Sequence, residues 1–212
     1  MTELHYTLVS DGSSDKALIP VLDWLIRQCD YQGYLQGECC DFRLFRSASR
    51  SVLAEKIRYA LILYPCDVLF IHRDAEKASP AKRVQEIANA LNQVFARSIR
   101  KPSVCVVPVR MTEAWLLFNE NAIRRAAGNP SGRGPLHLPD LRTLESLPDP
   151  KEVLRNLIRQ ATGLGARRQE AFPISQSILQ IAQYIDDFSP LRSLNAFRQL
   201  ESDVHILIAN CV

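Results

Sequence analysis

The chain has 212 residues, of which 47% are hydrophobic and 23% charged, and a formal net charge of +3. These proportions exclude a disordered chain, and no apolar run approaches the roughly 20 residues that a membrane-spanning helix needs. The charge is too small to argue for nucleic acid by itself. The opening residues Met1 to His5 lack the basic-then-apolar layout of a signal peptide, so a cytoplasmic location is expected.

The first half alternates strand and helix patterns. Short apolar runs at His5 to Val9, Asp41 to Phe45, Asp67 to His72 and Ser103 to Val109 read as buried strands. Asp15 to Gln28 reads as a helix with a kink near Pro20, and Val52 to Leu61 as another. Ser79-Pro80 has the form of an N-cap followed by a first-turn proline. Val84, Ile87, Ala88, Leu91, Val94 and Phe95 follow it at helical spacing. The order βαβαβαβ implies an α/β fold with a mostly parallel sheet and flanking helices.

After Val109 the pattern changes. Thr112 to Phe118 leads into a helix ending near Gly128, and the Pro/Gly-rich stretch Asn129 to Pro150 reads as a long loop. Asp149-Pro150 and Ser189-Pro190 repeat the cap-plus-proline signature. They open helices expected over Lys151 to Gln160 and Leu191 to Val204, with another over Ile174 to Asp187. Two parts are therefore expected: residues 1–120, and a helical C-terminal extension over 121–212 whose apolar stripes suit core packing, a partner or a second copy.

The six cysteines include no Cys-x-x-Cys pair and the four histidines lie far apart, which argues against structural zinc. Basic clusters occur at Arg43, Arg46 and Arg50; at Arg97, Arg100 and Lys101; at Arg124 and Arg125; and at Arg167 and Arg168. Any of these can be a solvated face. Arg167 and Arg168 lie between Gly163, Gly165 and the next helix, in an expected turn from which they could reach a phosphate backbone.

The acidic residues are placed more tellingly. Asp74-Ala75-Glu76 follows the third strand directly, and the turn Ser10-Asp11-Gly12-Ser13-Ser14-Asp15 follows the first. In an open α/β sheet, ligands gather beyond the carboxyl ends of the strands, and Mg²⁺ takes carboxylate oxygens there. Alternate residues of an extended segment point the same way, so Asp74 and Glu76 are expected to approach one ion together. Glu113, a few residues past the fourth strand, completes the set. Asp15 reads more simply as a first-turn helix acid. Asp74 and Glu76 have a plainer reading too, as surface partners of Arg73 and Lys77. No phosphate-binding Gly-rich loop with Lys-Ser/Thr and no Gly-x-Ser-x-Gly elbow is present.

The order of strand, acidic-Gly turn, later strand and Asp-x-Glu resembles the TOPRIM fold of topoisomerases, primases and the nucleases of the overcoming-lysogenization-defect group. Met111 to Phe118 is similar to a segment of a bacterial TOPRIM-like family encoded beside an ATPase in phage-defence loci. The resemblance covers residues 4 to 120. It implies a Mg²⁺- or Mn²⁺-dependent nuclease acting on DNA or RNA, working with an ATPase partner. Asp74 would bind the principal ion, Glu76 would assist, Asp11 would hold a second ion or its water, and Glu113 would complete the shell. Arg73, Lys77 and Arg110 would meet phosphate or balance the acids. Asp11 stands where the family carries glutamate, and Glu76 where it carries aspartate. Those departures leave a second expectation open, a non-catalytic module that binds a partner ATPase or nucleic acid.

Overall fold

A computed structural model describes residues 3–42, 52–96 and 98–211. Four strands, β1 (Glu3–Val9), β2 (Tyr34–Cys39), β3 (Val68–His72) and β4 (Ser103–Val106), form one all-parallel sheet in the order β2-β1-β3-β4. The register sets Leu8 beside Cys39 and Phe70, and Phe70 beside Val104. Because side chains alternate along a strand, the sheet has two apolar faces. Leu4, Tyr6, Leu8, Val68, Phe70, Val104 and Val106 belong to one core; Val9, Leu69 and Ile71 belong to the other.

The smaller core is closed by α2 (Leu53–Leu63), through Ala54, Ile57 and Ala60, and by α3 (Pro80–Phe95), through Ile87, Ala90 and Val94. Ser79 caps α3 as expected, its side chain accepting from the Lys82 N–H. The larger core is covered by α1 (Leu18–Arg27) and by most of the chain after residue 112. This part comprises α4 (Glu120–Ala126), α5 (Pro150–Thr162), the short α6 (Ala166–Glu170), α7 (Ile174–Tyr184) and α8 (Asn195–Cys211). Trp115 packs edge-on to Phe197 of α8 with ring centroids 5.4 Å apart, and both are fully buried. Truncating such an aromatic costs about 3–5 kcal/mol. The expected division at residue 120 therefore does not divide the core, which sheet and C-terminal helices share.

Several boundaries differ from expectation. The second strand of the described sheet is Tyr34–Cys39; of the strand expected over Asp41 to Phe45, residues 43–45 lie outside the described ones. The first helix opens as a 3-10 turn, Ser13–Ala17, before α1 begins. Pro20 then falls in the first turn of α1, where its missing N–H forfeits no intrahelical bond. Thr112–Leu116 is another 3-10 turn, separated from α4 by an Asn119 cap that accepts the Ala122 N–H. Asp149 caps α5, and Gly163 ends it in the left-handed region at φ 65°. Ser189-Pro190 opens only a 3-10 turn, Ser189–Ser193, so α8 starts later than expected and runs to Cys211. Among the described residues no helix is long and apolar enough to cross a membrane.

Candidate functional site

The strand order decides where a site can form. From β1 the chain passes through α1 on one face to β2; from β2 it returns through α2 on the other face to β3, on the far side of β1. The ends of β1 and β3 therefore flank the point where connections diverge to opposite faces, which leaves a crevice in such sheets. A cleft of about 290 Å³ lies there, and its lining includes Asp11, Asp74, Glu76 and Glu113. The four acids expected from the sequence thus meet at one opening, but they occupy two layers.

The inner layer is more deeply placed: Asp15, His72, Thr112 and Glu113 are buried and Asp74 is half-buried. His72, the last residue of β3, is 2% exposed, and its Nδ1–H donates to the Val106 carbonyl at 3.0 Å. Its Nε2 stands 3.3 Å from Thr112 Oγ1, 3.4 Å from Asp74 Oδ1 and 3.8 Å from Asp15 Oδ2. Asp15, in the first turn of the 3-10 segment, accepts the N–H of the N-cap Gly12 at 2.8 Å, and the same carboxylate lines the cleft. Asp74 Oδ1 accepts the Thr112 backbone N–H at 3.0 Å, while Oδ2 has no hydrogen-bond partner among the described residues. Burial, with the charges of Asp15 and Glu113 beside it, pushes the Asp74 carboxyl from 3.8 up to about 6 against the pull of His72. Glu113 is 4% exposed and its Oε1 is buried with no hydrogen bond. Lys151, at the start of α5, places its ammonium 3.4 Å from that oxygen, an ion pair outside hydrogen-bonding geometry.

The outer layer is exposed and neutralised. The Asp11 side chain is 50% exposed and is met by Lys56 Nζ at 2.5 Å and Arg73 Nε at 3.1 Å. The Glu76 side chain is 58% exposed, 3.8 Å from Arg83, which also bonds Glu86 at 2.8 Å and the Asp74 carbonyl at 3.0 Å. Glu76 has φ 52°, a left-handed conformation uncommon for a non-glycine residue. The chain therefore turns at Glu76, which removes the extended geometry expected to aim Asp74 and Glu76 at one ion. Backbone bonds hold this turn against the segment after β4: Arg73 N–H to Val106 O, Ala75 N–H to Pro108 O and Glu76 N–H to Arg110 O.

The expected cations divide as well. Arg73 lines the cleft, whereas Lys77 and Arg110 line an adjoining groove, Arg110 donating to the Glu76 carbonyl at 3.2 Å. Arg167 and Arg168 sit exposed on α6, not in a turn, and line neither. Arg43, Arg46, Arg50 and Arg97 lie outside the described residues. Sequence reasoning passed over His72, Lys56, Arg83 and Lys151. A histidine closing an apolar strand directly before Arg-Asp was a usable signal for His72; nothing links Lys151 to Glu113, far apart along the chain, except the fold.

Among the described residues no group of three or more His, Cys, Asp and Glu side chains stands close enough around one point to hold a metal ion. The donor chemistry of the inner layer still fits a hard divalent cation, which takes carboxylate oxygens. The Glu113 Oε1 is buried without a hydrogen bond, and burial and the neighbouring carboxylates raise the Asp74 carboxyl, so both have room for a further positive partner. Comparison with protein-family models, curated proteins and solved structures returned no match.

Proposed function

We propose that the cleft binds Mg²⁺ or Mn²⁺ and hydrolyses phosphodiester bonds of DNA or RNA. The observation that carries this reading is the cluster of carboxylates at the β1/β3 crevice, above all the Oε1 of Glu113, buried without a hydrogen bond and met only by the Lys151 ammonium at 3.4 Å. Asp74, Glu113 and Asp15 would hold the cation, drawn inward by it from their present separations. A bound ion would polarise a phosphoryl oxygen and lower the pKa of water. Arg73, Arg83 and Lys151 line the same cleft and are placed to meet phosphate oxygens. Asp11 and Glu76, already paired with cations, serve as the rim of the site in this reading.

One observation favours the non-catalytic alternative, a module that binds nucleic acid or an ATPase: Asp11, where the TOPRIM resemblance puts an ion-binding acid, is occupied by Lys56 and Arg73. An ATPase partner rests on the resemblance of Met111 to Phe118 alone. Thr112 to Leu117 are buried, so this segment builds the core and the cleft and offers a partner little surface. The decisive experiment is a Mn²⁺-titrated cleavage assay on single-stranded and duplex DNA and RNA. Asp74→Ala is expected to lower cleavage by at least about a hundredfold, roughly 3 kcal/mol of transition-state stabilisation, with its melting transition intact. Cleavage by Asp74→Ala equal to that of the wild type would remove Asp74 from the chemistry.

A further inference from the structure

A groove of about 620 Å³ adjoins the acidic cleft and shares Glu76, Arg83 and Met111 with it. Its lining carries four cations, Lys77, Lys82, Arg83 and Arg110, against the single acid Glu76, and Met111 and Pro148 add apolar surface. Arg83 and Arg110 are tied down, to Glu86 and to the Glu76 carbonyl respectively. Lys77 and Lys82 are exposed, and among the described residues neither side chain has an ion pair or hydrogen bond.

The start of α3 adds an independent observation. Lys82 and Arg83 are its third and fourth residues, and its first turn contains no acid. The positive end of a helix dipole favours acids and disfavours cations by a few tenths of a kcal/mol each. Here cations are concentrated at that end beside an open groove, an arrangement that an external anion would stabilise.

We infer that this groove is the track for a single strand of nucleic acid leading into the acidic cleft. Phosphates run along Lys77, Lys82 and Arg110, and sugars and bases rest on Met111 and Pro148. The inference deepens the hydrolytic reading above by giving its substrate class and its direction of approach. A small anion would use the cations and leave the apolar lining bare. A strand uses both, since single-strand binding joins a cationic groove to contacts with base faces. Glu76 marks the corner between track and cleft, and its left-handed turn separates the exposed Lys77 from the half-buried Asp74.

The test is fluorescence anisotropy of a short labelled oligothymidylate with the full chain in EDTA, over a range of salt concentrations. Lys77→Gln with Lys82→Gln is expected to weaken binding at least about tenfold at low salt. It should also flatten the slope of log affinity against log salt by roughly 1.4, about 0.7 for each phosphate of a single strand that is no longer neutralised. Arg167→Gln with Arg168→Gln removes the same charge from α6 and is expected to leave the slope near that of the wild type. A groove variant that matches the wild type overturns the inference, as does an equal weakening in both double variants, which would mean diffuse charge. Tighter binding of the corresponding duplex also overturns it. Because the measurement needs no ion, strand binding in this groove without metal-dependent cleavage would sink the hydrolytic reading alone. Cleavage with no effect of the groove variant would sink only the track.

Discussion

The inner and outer acids of the cleft differ in how their charge is met, and the difference teaches more than their shared position. Asp11 and Glu76 are half exposed or more and lie beside Lys56, Arg73 and Arg83. Pairs of this kind are worth about 0–1 kcal/mol and are screened by salt. Asp74 and Glu113 are more deeply placed, with one histidine and one loosely seated lysine for company. Under-compensated charge costs the fold free energy, and it is retained where a ligand supplies the compensation. In the reading proposed above, the inner layer is therefore the site and the outer layer its boundary.

The contrast is sharpest in stability against pH. A carboxyl that rises from 3.8 to about 6 on folding lowers stability by up to about 3 kcal/mol once it is ionised in both states. The folded state holds the proton more tightly, so the penalty is absent below the unfolded value, grows between about pH 4 and pH 6, and is complete above. In EDTA, Asp74→Asn should be more stable than the wild type near pH 8 by as much as that amount and indistinguishable from it near pH 4. Urea unfolding at the two pH values checks this. A variant that is less stable at pH 8 would show the charge of Asp74 to be satisfied.

Metal affinity separates the layers next. Glu113→Gln should weaken Mn²⁺ binding, read by calorimetry, by about tenfold or more, equivalent to about 1.4 kcal/mol. Asp11→Asn should change it by less than about threefold, because two cations already hold that carboxylate. The reverse order would exchange the roles of the two layers. The smallest effect belongs to Glu76→Gly. Glycine adopts φ 52° without the steric cost glutamate bears there. The variant should lie within about 1 kcal/mol of the wild type on the stable side in thermal unfolding; a destabilised variant would show that the contact with Arg83 outweighs the strain.

Much of this fold was legible because both faces of β1 and β3 are buried, so their residues form apolar runs. The β2 strand was not, for a physical reason. It is an edge strand, nowhere buried along its length, and its sequence Tyr-Leu-Gln-Gly-Glu-Cys carries no such run. Gly37 belongs in it because a side chain there would collide with the Tyr6 ring on the neighbouring strand, a long-range approach that local pattern cannot show. In the site, Asp74 and Glu113 were readable from their place after strands. Asp15 was read as a first-turn helix acid, and it is one. Its burial beside His72 depends on how the 3-10 turn packs, and local spacing does not encode that. The charge of Asp11 looked free only because Lys56 and Arg73 come to it from α2 and the end of β3.

The ladder joining Arg73, Ala75 and Glu76 to the segment after β4 is made of main-chain atoms only. Its geometry does not depend on which side chains Pro108, Val109 and Arg110 carry, provided the carbonyls remain. A wall built this way keeps its position while its surface chemistry drifts. In the hydrolytic reading proposed above, substitutions between residues 108 and 111 would then alter which substrate strand is admitted without moving Asp74, so selectivity could evolve separately from the carboxylates behind it.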